Sequence, residues 1–454
     1  MGTRGSVHRC QQSPENNCIS GRSPSPNPPR ILKKRDARSD SCPPILKATL
    51  YTQVRNLSTQ FMTETPTFDI AIIGAGPGGL CAAHGLANLG FSVGVFERAR
   101  ALRPIGAALG LAEAGYKALA LINGDLATQV RAASANPQRQ LLMRPNGEVL
   151  FSDESPLAGT PFTWLAWYNL QSSLHNTLPP TVSIHLNHKF VNFTKVADPS
   201  KAPLRLHFEN QPDVGARLLI GADGYHSVVR GLTVGDGAPL YTGTMTWRGI
   251  LPRQILAPLA EPFAEGAGFQ LVVGDQKNFW IMDAGAELLA WGGTALHPTS
   301  EKSTEVLAMV LQVFDQWTPF VERVIRATDP TTIVETGVFD REPVSQWGDR
   351  ERITLLGDAA HPMRPSLGLG ATMAFEDAVA LTKGLKGLNL QDTPSVAKAL
   401  THYEEERIAI TAPLQLKARQ GGEASHASDQ ADQLKAGFEL ALAARRRKEM
   451  TISD

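Results

Sequence analysis

A run of spaced glycines between a buried strand and a helix constrains the fold of this chain more than any other feature. The predicted order is strand, glycine turn, helix and strand: Asp69–Ile73, Gly74–Gly79, Leu80–Leu89 and Val93–Phe96. Gly74 permits a tight turn, Gly76 lets the backbone approach a pyrophosphate, and Gly79 lets the helix lie close to the strand. Glu97 follows the second strand, where an acid accepts hydrogen bonds from a ribose. The spacing predicts a dinucleotide-binding βαβ unit. The plainer alternative is a helix that needs small residues for packing.

The size and charge of the chain argue against several classes of protein. At 454 residues the chain is long enough for two domains or one large domain. Its 44 basic and 44 acidic side chains cancel, so no overall field favours a nucleic-acid partner. No apolar run approaches the roughly 18 residues that cross a bilayer, so we expect no integral membrane segment. Cys10, Cys18, Cys42 and Cys81 form no C-x-x-C pair, which argues against a disulfide framework, a zinc site or a redox dithiol.

The N-terminal segment differs from the rest of the chain. Residues 1–65 are rich in Ser, Pro, Asn and Arg and cannot build a hydrophobic core. Near its end, apolar side chains recur at helical spacing beside basic ones: Leu46, Leu50, Val54, Leu57 and Phe61. This pattern is typical of a transit peptide that directs a protein to a plastid or a mitochondrion. The alternatives are a disordered basic extension and an upstream extension of the reading frame before Met62, and both predict a cytoplasmic protein.

Two further motifs place an acid shortly after an apolar strand. The run Leu218–Ile220 leads into an Asp223–Gly224 turn, and Arg230 follows on a predicted short helix. The later run Ile353–Leu356 leads to Asp358. Turns of this kind are common, so neither motif by itself specifies a function.

The loop after Asp358 leads into a helix whose first backbone N–H groups are not covered by side chains. Pro362 and Pro365 stiffen the loop, and Gly368 and Gly370 leave N–H groups bare at the helix start. Helix N-termini attract electron-rich ligand atoms. A carboxylate that accepts hydroxyl hydrogen bonds, followed by such donors, suits a ligand with a sugar-like chain and an anionic ring edge, as in a flavin. The alternative is an ordinary glycine-rich turn with a chance aspartate.

In this order, the three motifs resemble the class A FAD-dependent monooxygenases, the group of aromatic-ring hydroxylases and zeaxanthin epoxidases. The resemblance covers residues 66–415, and smaller features also match the family: Tyr241-x-Gly243, Trp247-Arg248-Gly249, Trp347 and Glu376-Asp377-Ala378. It implies the α/β (α+β) fold of p-hydroxybenzoate hydroxylase. A Rossmann-like FAD-binding domain (66–238 and 341–454) would carry an inserted antiparallel β-sheet substrate domain (239–340) and end in C-terminal helices.

The resemblance also implies roles for individual residues. The ADP half of FAD would contact the first motif: Gly74, Gly76, Gly79, Glu97 and Arg98. Asp358 would bind the ribityl hydroxyls, and Asp223 and Arg230 belong to a motif that serves FAD and NAD(P)H. Backbone N–H groups facing the flavin N1 and O2 edge would come from the helix start: Gly368, Leu369, Gly370 and Ala371. Such donors stabilise the negative charge that appears there on reduction.

The implied activity is a monooxygenase that takes electrons from NAD(P)H and one oxygen atom from O2. A flavin hydroperoxide would hydroxylate or epoxidise an aromatic or hydrophobic small molecule. Pro365 would lie against the flavin ring, and Arg248 would hold a substrate carboxylate or polarised oxygen unless it forms a structural ion pair. His361 is expected to be structural. Two alternatives stay open: an FAD-dependent reductase or dehydrogenase of an isoprenoid-like substrate, and a catalytically degenerate flavin-binding protein.

Two segments depart from the family pattern. Where relatives carry Gly-Gln-Gly-Ala-Asn, this chain has Leu369 and Thr372 in place of the two amide residues. Where relatives carry an arginine before a leucine, Trp167 stands here, and Gln171 is a neighbouring donor. Backbone contacts to the flavin survive the first change, whereas a side-chain amide contact is lost.

The C-terminal segment has an apolar helical face and a basic end. The face consists of Leu434, Phe438, Ala441 and Leu442, and the end is Arg445–Lys448. This pattern predicts a docked or solvated helix, with peripheral contact to an anionic membrane as the alternative. The substrate, the choice of NADH or NADPH, and the choice between monomer and homodimer stay open.

Overall fold

The structure of the protein is a computed structural model that describes residues 65–103, 107–135, 139–153, 162–198, 202–256, 268–424, 429–436 and 439. All of these residues belong to one compact unit, Glu64–Asp454. The predicted transit peptide and the basic end Arg445–Lys448 lie outside the described residues, so organelle targeting and membrane contact stay predictions. Among the described helices, none combines the length and the hydropathy that a bilayer span needs.

The described residues form sixteen strands. They are β1 (Thr67–Ile73), β2 (Val93–Phe96), β3 (Ala108–Ala112), β4 (Arg139–Met143), β5 (Val149–Asp153), β6 (Phe162–Ala166), β7 (Val182–His185), β8 (Phe190–Lys195), β9 (Leu204–Phe208), β10 (Gln211–Gly221), β11 (Leu240–Pro252), β12 (Gly268–Gly274), β13 (Lys277–Asp283), β14 (Leu288–Leu296), β15 (Val334–Asp340) and β16 (Ile353–Leu355).

The helices follow the same numbering. They are α1 (Pro77–Asn88), α2 (Glu113–Ile122), α3 (Gly124–Ala132), α4 (Trp167–Asn176), α5 (Val228–Thr233), α6 (Arg253–Leu256), α7 (Val306–Val313), α8 (Pro319–Arg326), α9 (Gly370–Leu385) and α10 (Thr393–Ala424). Short 3₁₀ turns lie at Pro330–Thr332, Gly357–Ala359 and Pro365–Leu367.

The first sheet carries the three sequence motifs. Its strand order is β7-β2-β1-β10-β9-β8, and β16 pairs with the last residues of β10. The strands β7, β2, β1, β10 and β16 are parallel, whereas β9 is antiparallel to both β10 and β8. The central strands are apolar along their buried lengths, as expected for a parallel sheet with both faces covered.

One strand of this sheet runs in a different direction from the predicted one. The alternation of Val182, Ile184 and Leu186 predicts a half-buried antiparallel strand. The structure instead pairs β7 with β2 in parallel, with Val182 opposite Val93. Alternation of apolar and polar residues indicates a half-buried strand at a sheet edge. The direction of that strand depends on the crossover that precedes it. Here that crossover contains α2, α3 and α4.

The second sheet extends beyond the predicted insertion. Its order is β15-β11-β14-β13-β12-β4-β5, and the neighbours from β15 to β12 are antiparallel. The insertion predicted at 239–340 supplies β11–β15, while β4 and β5 come from residues 139–153. The parallel pairing of β12 with β4 joins segments more than a hundred residues apart, which local patterning cannot report.

The helix of the first motif begins earlier than its apolar pattern indicates. The pattern predicts a start at Leu80, whereas α1 starts at Pro77. Proline suits the first helical position because its missing N–H has no intrahelical partner there. Further along α1, a Cβ built on Gly85 would lie 2.2 Å from Oγ1 of Thr382 in α9. The glycine therefore lets α9 lie directly against α1.

Candidate active site

Three motifs that are distant in the sequence meet at one edge of the first sheet. The strands β1 and β16 run parallel to β10 and pair with it. Gly74, Asp223 and Asp358 follow the carboxyl ends of these three strands. In open α/β sheets, ligands bind in the crevice at the carboxyl ends of the strands. The structure therefore brings the three motifs together at one edge of the sheet.

The glycine turn after β1 combines packing positions with a ligand position. Gly74 has a φ of +109°, and a Cβ there would lie 2.3 Å from the carbonyl oxygen of Ala222. A Cβ on Gly79 would lie 2.2 Å from the carbonyl oxygen of Gly74. At Gly76, in contrast, no atom of the described residues lies within 4 Å of such a Cβ. Gly76 precedes the uncapped N-terminus of α1, so open space and free N–H groups are available to a pyrophosphate.

Two alanine substitutions separate these roles. Gly76→Ala is expected to change the free energy of unfolding of the FAD-free protein by less than ~0.5 kcal/mol, because the new methyl meets no atom of the described residues apart from its chain neighbours. Its FAD affinity is expected to fall about tenfold or more, ~1.4 kcal/mol. Gly79→Ala is expected to destabilise the FAD-free protein by ~1–3 kcal/mol or more through its clash with backbone. Urea unfolding and FAD titration measure both effects, and equal destabilisation by the two variants would contradict the ligand role of Gly76.

Glu97 lies beside the glycine turn, as the spacing predicts. Its Oε2 accepts a hydrogen bond from the N–H of Ala75 (3.0 Å), and its Oε1 accepts one from the N–H of Ala99 (2.9 Å). Each carboxylate oxygen has a further lone pair, so Glu97 can hold the turn and still accept from a ribose hydroxyl. Arg98 is exposed next to it. The contact between Arg98 and an adenine stays a prediction.

Gln171 reaches the same turn from α4. Its side chain is buried, and Nε2 donates to the carbonyl of Ala75 at 2.7 Å. Its Oε1 is buried without a hydrogen-bond partner among the described residues. An unpaired buried acceptor beside the glycine turn fits a ligand donor such as a sugar hydroxyl. Gln171 thus occupies the position near which relatives place an arginine, while Trp167 lies half-buried at the start of α4.

Asp358 lies next to the start of α9, at the carboxyl end of β16. Water reaches its carboxylate, yet protein surrounds it closely enough that burial raises its pKa. No hydrogen bond to its carboxylate is found within the described part of the chain, and a Cβ on Gly370 would lie 3.7 Å from its Oδ1. The helix start has no side-chain cap, and Gly368 before it has a left-handed φ of 65°. An unpaired carboxylate next to bare helix N–H groups fits a ribityl chain and a flavin edge.

A buried cluster of charged side chains holds the turn that carries Asp358 in place. Asp377 is fully buried and accepts hydrogen bonds from the N–H of Gly357 (2.9 Å), Nε2 of His361 (2.6 Å) and Nε of Arg407 (2.6 Å). Burial raises the pKa of Asp377, but these partners outweigh burial and hold its pKa below the usual value. His361 is therefore structural, as expected. No motif in the sequence indicated Arg407. The only available signal was that a buried carboxylate needs a cationic partner.

Arg230 is bound by protein partners in this structure, so its contact with FAD or NAD(P)H stays a prediction. The guanidinium is fully buried, and all three of its nitrogens have protein partners. Nε and Nη2 bind Asp236, and Nη1 donates to the carbonyls of Ala359 (3.1 Å) and Ala360 (2.5 Å). Arg230 thus ties α5 to the turn that carries Asp358. The sequence could not show this link because Ala359 and Ala360 lie more than a hundred residues from Arg230.

Asp223 caps the short helix α5 that leads to Arg230. Its Oδ1 accepts from the hydroxyl of Ser227 at 2.5 Å, and its Oδ2 accepts from the N–H of Val228 at 2.7 Å. Burial raises the pKa of Asp223, and these hydrogen bonds oppose the shift. Both oxygens bind protein donors, so a direct contact of Asp223 with FAD or NAD(P)H stays a prediction.

The loop that carries Pro365 is held by two other elements. The guanidinium of Arg364 pairs with Asp340 at the end of β15 (2.9 Å). The hydroxyl of Ser366 donates to the carbonyl of Ala418 in α10 at 2.7 Å. Pro365 itself is exposed between these anchors. Its contact with the flavin ring stays a prediction, but the anchors give the loop a defined position next to Gly368.

Arg248 lies on the face of the second sheet that is turned away from α7 and α8. Its neighbours Trp247 and Leu251 pack in the core under those helices, whereas Ile250 packs with Ala166 of β6. Because side chains alternate along a strand, Arg248 shares the face of Ile250. Its Nε is buried without a partner, and no ion pair to Arg248 is found within the described residues. The predicted alternative of a structural ion pair is therefore not observed there.

The two departures at the start of α9 have different environments. Leu369 is half-buried, and its backbone occupies the position before the helix. Thr372 is only 1% exposed, and its hydroxyl has no partner among the described residues. The backbone donors of the helix start are thus preserved, as expected, while the amide side chains of the family are absent.

Comparisons with known proteins agree with this site. A family described as FAD binding domain matches residues 67–415. Aurachin C monooxygenase/isomerase of Stigmatella aurantiaca is 32% identical over 350 residues, which cover 75% of this chain and 85% of that protein. Chloroplastic zeaxanthin epoxidase of an Oncidium hybrid cultivar is 29% identical over 80% of this chain and 56% of that protein. The crystal structure of Klebsiella pneumoniae HpxO with FAD and uric acid has a TM-score of 0.68 and 27% identity, covering 82% of this chain and 92% of that one.

These similarities confirm the predicted fold and favour one of the open activities. The family match includes all three motifs, and the HpxO structure extends the likeness to most of the described chain. The named relatives are a monooxygenase and an epoxidase, so the reductase and the degenerate alternatives are not supported. The chain belongs to the FAD-binding-domain family and is an FAD-dependent monooxygenase of class A.

Proposed function

We propose that the protein reduces its FAD with NADH or NADPH and transfers one oxygen atom from O2 to a small aromatic anion. The observation that supports an anion is the guanidinium of Arg248, which has no partner among the described residues and lies on the sheet face that carries Ile250. A relative structure that holds uric acid supports a planar substrate of this kind. FAD, when bound, supplies the electron transfer and the reaction with O2 that amino-acid side chains do not provide.

Residues of this chain would bind FAD along its whole length. The start of α1 would face the pyrophosphate, and Glu97 would accept from the adenosine ribose. Asp358 would accept from the ribityl hydroxyls, with Gln171 as a further acceptor near the glycine turn. The N–H groups at Gly370 and Ala371 would stabilise negative charge on the flavin edge. The unpaired state of Asp358 and of Gln171 Oε1 fits this arrangement.

An apolar surface beside Arg248 would keep water from the reacting atoms. The row next to Arg248 on the same sheet face consists of Ile250, Ala290, Met282 and Phe269. Trp164 of β6 stacks on Phe269, with ring centroids 5.8 Å apart and planes within 4°. Exclusion of water strengthens the interactions in such a site and suppresses side reactions. Aromatic rings along one side and a cation on the other suit a flat, charged substrate.

The nicotinamide donor is proposed to bind transiently. The sequence has one glycine fingerprint of the dinucleotide-binding type, and FAD would occupy it. Near the Asp223 turn, burial and then the charges of Arg341 and Arg98 lower the pKa of the exposed His226. Positive potential at this surface would attract the diphosphate of a nicotinamide dinucleotide.

Consumption of NADH and NADPH by the FAD-loaded enzyme tests the proposed function. The substrates to compare are aromatic acids, their neutral alcohol analogues and isoprenoid alcohols. We expect an aromatic acid to accelerate consumption most and to gain one oxygen atom, as mass spectrometry of the product would show. Acceleration by isoprenoids alone, with no oxygen in the product, would point to a reductase instead.

Arg248→Gln is expected to weaken the use of aromatic acids selectively. Hydrogen bonds to charged groups are worth ~1.5–3 kcal/mol, so KM for the best acid should rise about tenfold to a hundredfold. Its neutral alcohol analogue should be used equally by both enzymes. Arg326→Gln, on the exposed side of α8, is the matched control because its guanidinium pairs only with Glu322 among the described residues. An unchanged KM for every acid in Arg248→Gln would contradict the role of Arg248.

A further inference from the structure

Arg248 and Trp280 lie in one row across the sheet face that carries Ile250, with a glycine between them. In the pairing register, Gly292 of β14 is opposite Arg248 of β11 on one side and opposite Trp280 of β13 on the other. Neighbouring strands are about 4.8 Å apart, so the two side chains start about 10 Å from each other. Residues paired in this way point to the same face of the sheet. Trp280 is half-buried, in contrast to Trp247 and Trp291 on the opposite face.

Gly292 allows the indole of Trp280 to lean toward Arg248. A Cβ built on Gly292 would lie 2.3 Å from Cζ2, 2.5 Å from Cε2 and 2.8 Å from Nε1 of Trp280. The edge of the indole that carries the N–H therefore lies over Gly292. Any larger residue at 292 would occupy this space and push the ring away.

Among the described residues, the indole N–H of Trp280 has no acceptor, unlike those of the two buried tryptophans of this sheet. Nε1 of Trp247 donates to Glu335 at 2.9 Å, and Nε1 of Trp291 donates to Thr328 at 2.8 Å. Within the described residues, no hydrogen bond is made by Nε1 of Trp280, and it is not sealed from solvent. Tryptophan N–H groups usually find a partner when they are enclosed. Two donors that have no acceptor in the described part of the chain, the indole and the Arg248 guanidinium, thus flank Gly292.

We propose that Trp280 determines substrate specificity together with Arg248. The indole N–H and the guanidinium bind the two oxygens of an anionic substrate edge, such as a carboxylate, above Gly292. The substrate ring then extends over the apolar row of Ile250 and Met282 toward β6. This inference rests on the proposed function, because it places the substrate of that reaction on this sheet face. Trp280 recognises the substrate by one hydrogen bond that phenylalanine cannot make.

Binding of aromatic anions to the FAD-loaded enzyme tests this role. The probes are salicylate, 3-hydroxybenzoate and urate, with benzyl alcohol as the neutral comparison, and the readout is the change in flavin visible absorbance. Trp280→Phe keeps an aromatic ring but removes the N–H, so we expect the tightest anion to bind about tenfold more weakly. Gly292→Ala is expected to weaken the same anion by displacing the indole. Trp317→Phe, on the α7 side of the sheet, is expected to bind it like the wild type.

The outcomes separate this inference from the proposed function. Anion affinity within twofold of the wild type in both Trp280→Phe and Gly292→Ala would overturn it, and so would a wild-type enzyme that binds none of the three anions. Thermal unfolding and flavin content of each variant show whether a loss of affinity is a loss of folding. Reduction of the flavin by NADH or NADPH is measured in the same samples. Failure of that reduction in the wild type would count against the proposed function, whatever the anion affinities are.

Discussion

Asp358→Ala is expected to yield a folded protein without flavin. The Asp358 carboxylate has no hydrogen-bond partner within the described residues, so its removal leaves no protein group unsatisfied. In the FAD complex it would accept from ribityl hydroxyls, and each hydrogen bond to a charged group is worth ~1.5–3 kcal/mol. We therefore expect FAD affinity to fall by about a hundredfold or more, measured by FAD titration and by the flavin-to-protein absorbance ratio after purification.

The stability of the FAD-free Asp358→Ala protein gives a second readout. Burial raises the pKa of Asp358, so the ionised carboxylate is less favourable in the folded chain than in the unfolded chain. For an acid with a raised pKa, this destabilisation is present above the folded pKa and disappears as pH falls below the unfolded one. At neutral pH the FAD-free variant should therefore melt no lower than the FAD-free wild type. Asp275→Ala, in an exposed turn between β12 and β13, is the control, and full flavin content in Asp358→Ala would contradict the assignment.

Asp377→Ala is expected to destabilise the folded protein strongly. It would leave Arg407 and His361 buried without their shared carboxylate and would free the N–H of Gly357. Removal of one partner from a buried ion pair costs ~3–5 kcal/mol. Urea unfolding should show this loss in the FAD-free protein, independently of flavin. Glu376→Ala is the matched control, because Glu376 also pairs with Arg407 but is partly exposed and should cost under ~1 kcal/mol.

The same carboxylate makes stability depend on pH in a defined direction. Its partners hold the pKa of Asp377 below its ordinary value of 3.8 despite burial. Its contribution is thus fully present above about pH 4 and is lost as pH falls through the lower folded pKa. Asp377→Asn keeps the shape but cannot titrate, so its unfolding free energy should fall less steeply below pH 4 than that of the wild type. If the unfolding free energies of the two proteins fall equally steeply below pH 4, Asp377 does not titrate as assigned.

Local patterns predicted the parts of the fold that are decided by neighbouring residues. The strand, turn and helix around Gly74 and Gly79 follow from glycine sterics and apolar runs, which short segments encode by themselves. The direction of β7 and the pairing of β4 with β12 were not predictable in this way. Both depend on contacts between segments far apart in the chain. The pattern of apolar and polar residues along one strand does not indicate which strand pairs with it.

The sequence predicted which motifs form the candidate site. It did not predict which distant residues bind those motifs and hold them in place. Asp358 and Gly370 lie side by side as their spacing indicates. Arg230 belongs to a motif too, but its partners at Asp236 and Ala359–Ala360 turn it into a link between motifs. Trp280 carried only the signal of an aromatic residue on a strand. Its unpaired N–H becomes meaningful once the register brings it opposite Gly292.

Anaerobic reduction of the purified protein tests the central claim most directly. The site described here should hold one FAD per chain, and addition of NADH or NADPH without O2 should bleach the visible flavin absorbance. Admission of O2 should restore the absorbance and, without substrate, release hydrogen peroxide. A protein that binds no FAD, or whose bound FAD keeps its absorbance with both nicotinamides, would contradict the assignment of this chain as an active FAD-dependent monooxygenase.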